Sequence, residues 1–210
     1  MNKIFLYILV LGCMLSTAGC GALLDKAEPM NVRYFAPTVV GAQDSGGASS
    51  QSQGQAQPLR LGRIRASDHL RERIAYRISE SELGYNEGLR WTEPPDAYFQ
   101  RALGRELFES GRFEHIIAGI APQLEAELTA FEDLRPQKAV RVEARVLVHD
   151  GRQVVLEHTF RVEESRKDDS PTAIAEALSR ALQKCVAQIS SEIDNALRAS
   201  ASAPAPTTPS

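Results

Sequence analysis

Two stretches of alternating apolar and polar residues, Val140 to Val148 and Gln153 to Val162, face each other across Asp150-Gly151. In the first, Val140, Val142, Ala144, Val146 and Val148 share one side and Arg141, Glu143 and Arg145 the other; in the second, Val154, Leu156, His158, Phe160 and Val162 give the matching inward side. A period of two sends successive side chains to opposite faces of a strand. An Asp-Gly pair supplies the positive φ that a tight hairpin turn requires. The chain is thereby committed to an antiparallel hairpin with one dry and one wet face. Leu124 to Glu132 repeats the pattern, with Leu124, Ala126, Leu128 and Ala130 on one face and Glu125, Glu127, Thr129 and Phe131 on the other. It extends the hairpin to a meander.

An apolar sheet face needs a cover. The longest candidate starts at Pro171, where Ser170 caps and the proline takes a first-turn position whose missing N–H costs nothing. Ile174, Leu178, Ala181, Leu182, Cys185, Ile189, Ile193 and Leu197 then form one helical stripe. A shorter helix begins at Asp96, which is expected to cap it behind Pro94-Pro95, carries Phe99, Leu103 and Leu107, and ends at Gly111. Phe113, Ile116 and Ile117 follow as a short apolar run. Upstream, Leu59, Leu61 and Ile64 predict an irregular strand, and Arg73 to Ile78 another that leads through Ser79-Glu80-Ser81 to Leu83, Tyr85 and Trp91. The expected fold is a single α+β domain, a largely antiparallel sheet of about five or six strands covered by two helices.

The start of the chain is an address. Met1-Asn2-Lys3, the apolar run Ile4 to Leu15 and the small residues Ser16-Thr17-Ala18-Gly19 make a signal peptide over residues 1–19, shorter than the roughly 20 apolar residues that span a bilayer. The segment resembles a bacterial lipobox, with Thr17 where Leu is commoner. That resemblance implies cleavage before Cys20 and acylation of its thiol and new amino group by chains such as palmitate. Gly21 stands where Asp would signal inner-membrane retention, so the expected location is the periplasmic face of the outer membrane. Residues 20–57 form the lipid anchor and a flexible tether. Gly41 to Gln57 is a Gly/Ser/Gln run that cannot build a core and reaches about 23 Å. Within the tether, residues 32–40, with Val32-Arg33-Tyr34-Phe35 and Thr38-Val39-Val40, are either an edge strand of the domain or part of the tether itself. The folded unit is residues 58–198, and residues 199–210 read as a disordered Pro/Ala/Ser/Thr tail.

Charge and motif content narrow the chemistry. With 24 basic against 27 acidic residues the net charge is −3, too balanced to gather phosphates, so nucleic acid is not an expected partner. No phosphate-cradling Gly-rich loop, HExxH, CxxC or GxSxG pattern occurs. No catalytic residue, cofactor or metal site is therefore expected. His69, His115, His149 and His158 never fall at the helical spacing that pairs metal ligands. With Cys13 in the signal and Cys20 acylated, Cys185 is left alone on the helical stripe as a small core residue without a disulfide partner. Glu125, Glu127, Glu132 and the Glu163-Glu164 pair read as solvated, as do Arg101 and Arg105. Trp91, the only tryptophan, reads as a core wedge, with an aromatic anchor for a partner or a lipid chain as the functional alternative.

From Glu72 to Ile116 the chain carries a basic-aromatic strand at Tyr76-Arg77, a turn with Tyr85, the corner Trp91-Thr92-Glu93-Pro94 and a helix with Leu103 and Leu107. Followed by the Leu124 to Asp133 strand, the meander and the terminal helix, all behind a lipobox, this order resembles the ABC-type transport auxiliary lipoprotein family over roughly Pro58 to Arg198. The resemblance implies an accessory, non-catalytic role in an MCE-type ABC lipid-transport system, with the lipoprotein docking the periplasmic MCE subunit at the outer membrane. It marks Tyr76, Arg77, Tyr85, Trp91, Glu93, Pro94, Leu103 and Leu107 as core or partner-contact residues. The implied partners are the membrane, through acylated Cys20, and the MCE subunit, with homo-oligomerisation left open. The second reading is a structural adaptor lipoprotein of an outer-membrane assembly or secretion machine.

Overall fold

The computed structural model describes residues 31–38 and 56–202; the signal peptide, Cys20, most of the tether and the end of the tail lie outside them. In chain order come strands β1 (Arg33–Phe35), β2 (Gln57–Ala66), β3 (Arg73–Ser79) and β4 (Glu82–Trp91), then helix α1 (Pro95–Gly104). A π-helical turn, Arg105–Glu109, leads to β5 (Phe113–His115), β6 (Gln123–Leu134), a 3-10 turn at Arg135–Gln137, β7 (Ala139–Asp150), β8 (Gln153–Ser165) and helix α2 (Pro171–Ser202).

Among the described residues the strands make one eight-stranded mixed sheet. Pairs β3–β4, β6–β7 and β7–β8 are antiparallel, whereas β1–β4, β2–β5, β2–β6 and β3–β6 are parallel. This corrects the expected five or six largely antiparallel strands. β5 spans three residues, too few to leave a periodic trace, whereas β1, three residues inside the 32–40 stretch left open as edge strand or tether, pairs with β4 at the end of the sheet. The parallel pairings join segments distant in sequence, about which local alternation carries no information. β6 organises the whole. Its full length pairs with β7, and its other edge is shared, with β2 along Gln123 to Leu128 and β3 along Glu132 to Leu134.

The meander forms where alternation placed it, with two changes of face. The β6–β7 register shifts between Leu128 and Ala130, leaving Thr129 as an extra residue. Beyond this bulge Phe131 sits opposite Val142 and is 1% exposed, so the residue expected on the wet face is core, and Glu132 moves opposite Arg141. In β8 a second shift puts Val154 opposite His149 on the outer face, 55% exposed. His158 is exposed too, so of the expected inward set Phe160 and Val162 are buried and Leu156 half-buried. The turn itself is Gly151-Arg152, one residue later than expected, because Asp150 pairs with Gln153; Gly151 takes φ 57°, which a side chain would resist.

Helix α2 covers the dry face of β7 and β8. Val140, Val142, Ala144, Val146 and Val148 meet Leu178, Ala181, Leu182, Cys185, Ile189 and Ile193 in the core, none more than 1% exposed. Each large aliphatic side chain buried this way contributes about 1.5–3 kcal/mol. The Ala173 N–H donates to Ser170 Oγ at 3.2 Å, the expected cap. The helix continues through Ser202, four residues into the stretch expected to be tail, and the rest of that tail lies outside the described residues. For α1 the cap position falls on Pro94 without a side-chain bond, so Asp96 is a first-turn acid and not the cap. The π-helical turn carries Leu107 into the core, and Gly111 at φ 72° ends the run. Beyond β5, Ile117 and Ile120 stand 85% and 101% exposed.

Candidate functional site

Glu132, expected to be solvated, is 0% exposed. A buried carboxylate is tenable only when its charge is met and its lone pairs are occupied. Arg77 of β3 does both, donating from Nε to Oε1 at 2.6 Å and from Nη2 to Oε2 at 3.0 Å. Arg141 of β7 stands 3.8 Å from the same Oε1 and pairs with Glu163 of β8 at 2.9 Å. One chain of alternating charge thus ties β3, β6, β7 and β8 together on the sheet face away from α2. The bond to Glu132 raises the pKa of Arg77 further above its ordinary value.

The next residue, Asp133, points to the helix side and is 2% exposed. Burial pushes its pKa up against the pull of Arg166, whose Nε donates to Asp133 Oδ1 at 2.9 Å. Arg166 also binds the Asp169 carboxylate and donates to the Asp168 carbonyl at 2.8 Å. Asp168 in turn accepts from the Ser170 N–H at 2.8 Å, so this second clasp holds the entry to α2. Sequence reasoning missed Glu132, Asp133, Arg141 and Arg166. The available signal was a Glu-Asp pair breaking the alternation of a strand that then ends in Leu134.

The residues marked by resemblance divide among three tasks. Trp91, Leu103 and Leu107 are core, at 1%, 0% and 0% exposure. The indole of Trp91 meets Phe131 and Tyr98 edge-on at 5.4 Å and 6.3 Å, and its Nε1 has no hydrogen-bond partner among the described residues. Tyr76, Arg77 and Tyr85 brace β3 and β4. The Tyr76 ring lies 3.2 Å from the Arg135 guanidinium carbon, and Gly84 runs so close that a Cβ there would stand 2.6 Å from the ring. The Tyr85 ring lies 4.3 Å from the Arg73 guanidinium, and its hydroxyl donates to the His69 carbonyl at 3.1 Å. Glu93 and Pro94 fix the corner into α1: Glu93 accepts from Arg101 at 2.8 Å, and its N–H donates to the Tyr98 hydroxyl at 3.0 Å. The structure brings Arg77 to Glu132 and Trp91 to Tyr98 but does not gather the eight into one pocket.

The face away from α2 is a field of paired charge. Arg65 donates to Glu127 at 2.9 Å, Arg145 pairs with Glu157, and Arg161 pairs with Glu143 at 2.5 Å. Arg63, Arg65, Glu125, Glu127, Arg145 and Glu157 border an open concavity of about 480 Å³. Such a face presents fixed charges in a set pattern, which suits recognition of another polar surface. Cys185 is buried, with its thiol pushed up to about 12 by burial and then by Glu143, as befits a core residue. Among the described residues no three His, Cys, Asp or Glu side chains converge as metal ligands would.

Comparison with known proteins agrees with this architecture. A protein of Xanthomonas campestris, 18% identical, has the same fold at a TM-score of 0.70, covering 81% of this chain and 100% of its own. A second solved structure, of an uncharacterised protein, is 15% identical with a TM-score of 0.63, covering 78% of this chain and 99% of its own. No curated protein matches the chain. The family model for the ABC-type transport auxiliary lipoprotein component matches residues 42–190, and the chain belongs to that family.

Proposed function

We propose that this protein is a lipid-anchored periplasmic accessory subunit of an MCE-type ABC lipid-transport system. It is held at the outer membrane through acylated Cys20 and docks the periplasmic MCE subunit without catalysing a reaction. The family match over residues 42–190 behind the Cys20 lipobox carries the reading. The charged sheet face supports it, since Arg65, Arg145, Glu157 and Arg161 hold paired but exposed charges that a complementary surface can use for orientation. A domain on a tether raises the local concentration of its partner at the membrane.

The test is crosslinking in cells, followed by affinity purification of the lipidated protein and mass spectrometry. Recovery of an MCE subunit with its permease and ATPase is expected. Recovery of barrel-assembly or secretion components in their place would overturn the proposal and install the adaptor reading.

A further inference from the structure

Strand β8 has β7 as its one neighbour among the described residues, so the other edge of a 13-residue strand is open. Its outward N–H and C=O groups form a template for another strand. Edges of this kind are ordinarily blunted by Pro, unpaired charges or bulges; from Leu156 to Ser165 β8 carries no Pro, Lys or bulge, and its charges Glu157, Arg161, Glu163 and Glu164 are each paired with a neighbouring side chain.

We propose that the occupant is a second copy of β8, paired antiparallel about a twofold axis at Thr159. Residues directly opposite in an antiparallel pair lie on the same face, so positions equally far from the axis residue meet. With the axis at Thr159, Glu157 lies opposite Arg161 twice, once on each side. On the helix side His158 meets Phe160, and Leu156 meets Val162. Neighbouring registers lose this match. An axis at Phe160 sets Glu157 against Glu163, one at Arg161 sets the two arginines against each other, one at Glu157 sets the two glutamates together, and one at His158 leaves Arg161 without Glu157. Glu157 and Arg161 keep 52% and 58% of their side chains exposed, while Arg145 and Glu143 behind them continue the same alternation. The charge ladder of the outer face therefore runs on into the second copy.

The helix layer fits the same axis. Helix α2 lies over β7 and β8. With strands about 4.8 Å apart, two copies joined at β8 bring their α2 axes to about 10 Å, the upper end of the spacing of packed helices. At the level of Thr159 the groove between β8 and α2 is lined by His158, Phe160, Ala187, Gln188, Ser191 and Glu192. Ala187 and Ser191 are small enough to let the helices close. The His158 ring already meets Phe160 of its own copy edge-on at 4.7 Å and gains the second Phe160 across the axis.

The test uses the full lipidated chain in the membranes of cells that make it. Thr159→Cys brings two thiols together at the axis, whereas Glu163→Cys holds them eight residues apart, about 26 Å. Mild oxidation is expected to give a disulfide-linked dimer of Thr159→Cys on a non-reducing gel, and monomer for Glu163→Cys and the unsubstituted chain. Equal dimer at both positions, no dimer at Thr159, or a mixed disulfide with a different protein overturns the proposal. As a second measurement, Thr159→Lys places two ammonium groups on the axis at an exposed position. Its mass by light scattering is expected to be half that of the unsubstituted protein, with an unchanged circular dichroism spectrum showing that the monomer is folded. An unsubstituted protein already monomeric at the same concentration overturns the proposal as well.

Discussion

Thr129 directs its hydroxyl at Glu143, 2.9 Å from the carboxylate Oε1 and 3.2 Å from the backbone carbonyl. The extra residue that turns β6 over is thus locked to the neighbouring strand. Arg161 completes the arrangement from β8, 2.5 Å from the other carboxylate oxygen. Burial acts to raise the Glu143 pKa, but the bonds from Arg161 and Thr129 outweigh it and hold the group below its ordinary value.

That shift has a sign. Above the ordinary value of 4.5 the carboxylate is ionised whether the chain is folded or unfolded, and its contribution is fully present; as pH falls through the lower folded value it is lost. Glu143→Gln is expected to cost about 1 kcal/mol at neutral pH and to flatten the fall in stability below pH 4.5. Urea titrations of both proteins across that window check it, and parallel curves would refute it.

Glu132→Ala strips the carboxylate from between two guanidinium groups. Breaking a buried pair from one side costs about 3–5 kcal/mol because the other charge is stranded, although Arg77, with 21% of its side chain exposed, can recover part of its hydration. The expected loss is about 3 kcal/mol, read as a lowered urea midpoint. Arg65→Ala, at a pair with 60% of the arginine exposed, is expected to change stability by less than about 1 kcal/mol.

Cys185 reports on opening of the core. Buried and with its thiol near 12, it is expected to resist iodoacetamide at pH 8 in the folded protein and to react as soon as urea unfolds it. The alkylation rate against urea concentration should superimpose on the unfolding curve. Fast labelling without denaturant would mean that α2 lifts from the sheet on its own.

Cys20→Ser removes the only thiol of the lipobox. The protein, once its signal is removed, is expected to move from the membrane to the soluble fraction with the melting temperature of its domain unchanged, because Cys20 lies ahead of every strand among the described residues. Fractionation of cells and a thermal scan of the purified variant decide this. Retention in the membrane of a chain whose mass shows that residues 1–19 have been removed would point to a second anchor.

The hairpin of β7 and β8 and the stripe of α2 were legible because each is long, periodic and bounded by turn or cap chemistry that acts locally. What escaped was set by distance. The bulge at Thr129 leaves no mark in a run that alternates on paper, so Phe131 looked wet and Glu132 looked solvated. The arginines that make Glu132 and Asp133 tenable, Arg77 and Arg166, lie 55 and 33 residues away. β5 is three residues long, the 32–40 stretch that holds β1 could be read as strand or tether, and β2 and β3 reveal nothing of the strand they share. Of the residues marked by resemblance, the core role of Trp91 was foreseen, while the grip of Arg77 on a buried acid was not.

The divided edge of β6 also sets an order of assembly. β7 and β8 close through a two-residue turn and β3 and β4 through an equally short one, so each pair can form as soon as its own residues are available. β2 has no such neighbour. Its partners β5 and β6 come later in the chain, and a large loop must be closed before any of those bonds repays the lost entropy. The junction of β6 with β2 and β3 is therefore the last part of the sheet able to form, and until it closes the apolar face of the β3–β4 hairpin stays in water. Folding dominated by such distant pairings falls on the slow, millisecond-to-second side of small-domain rates.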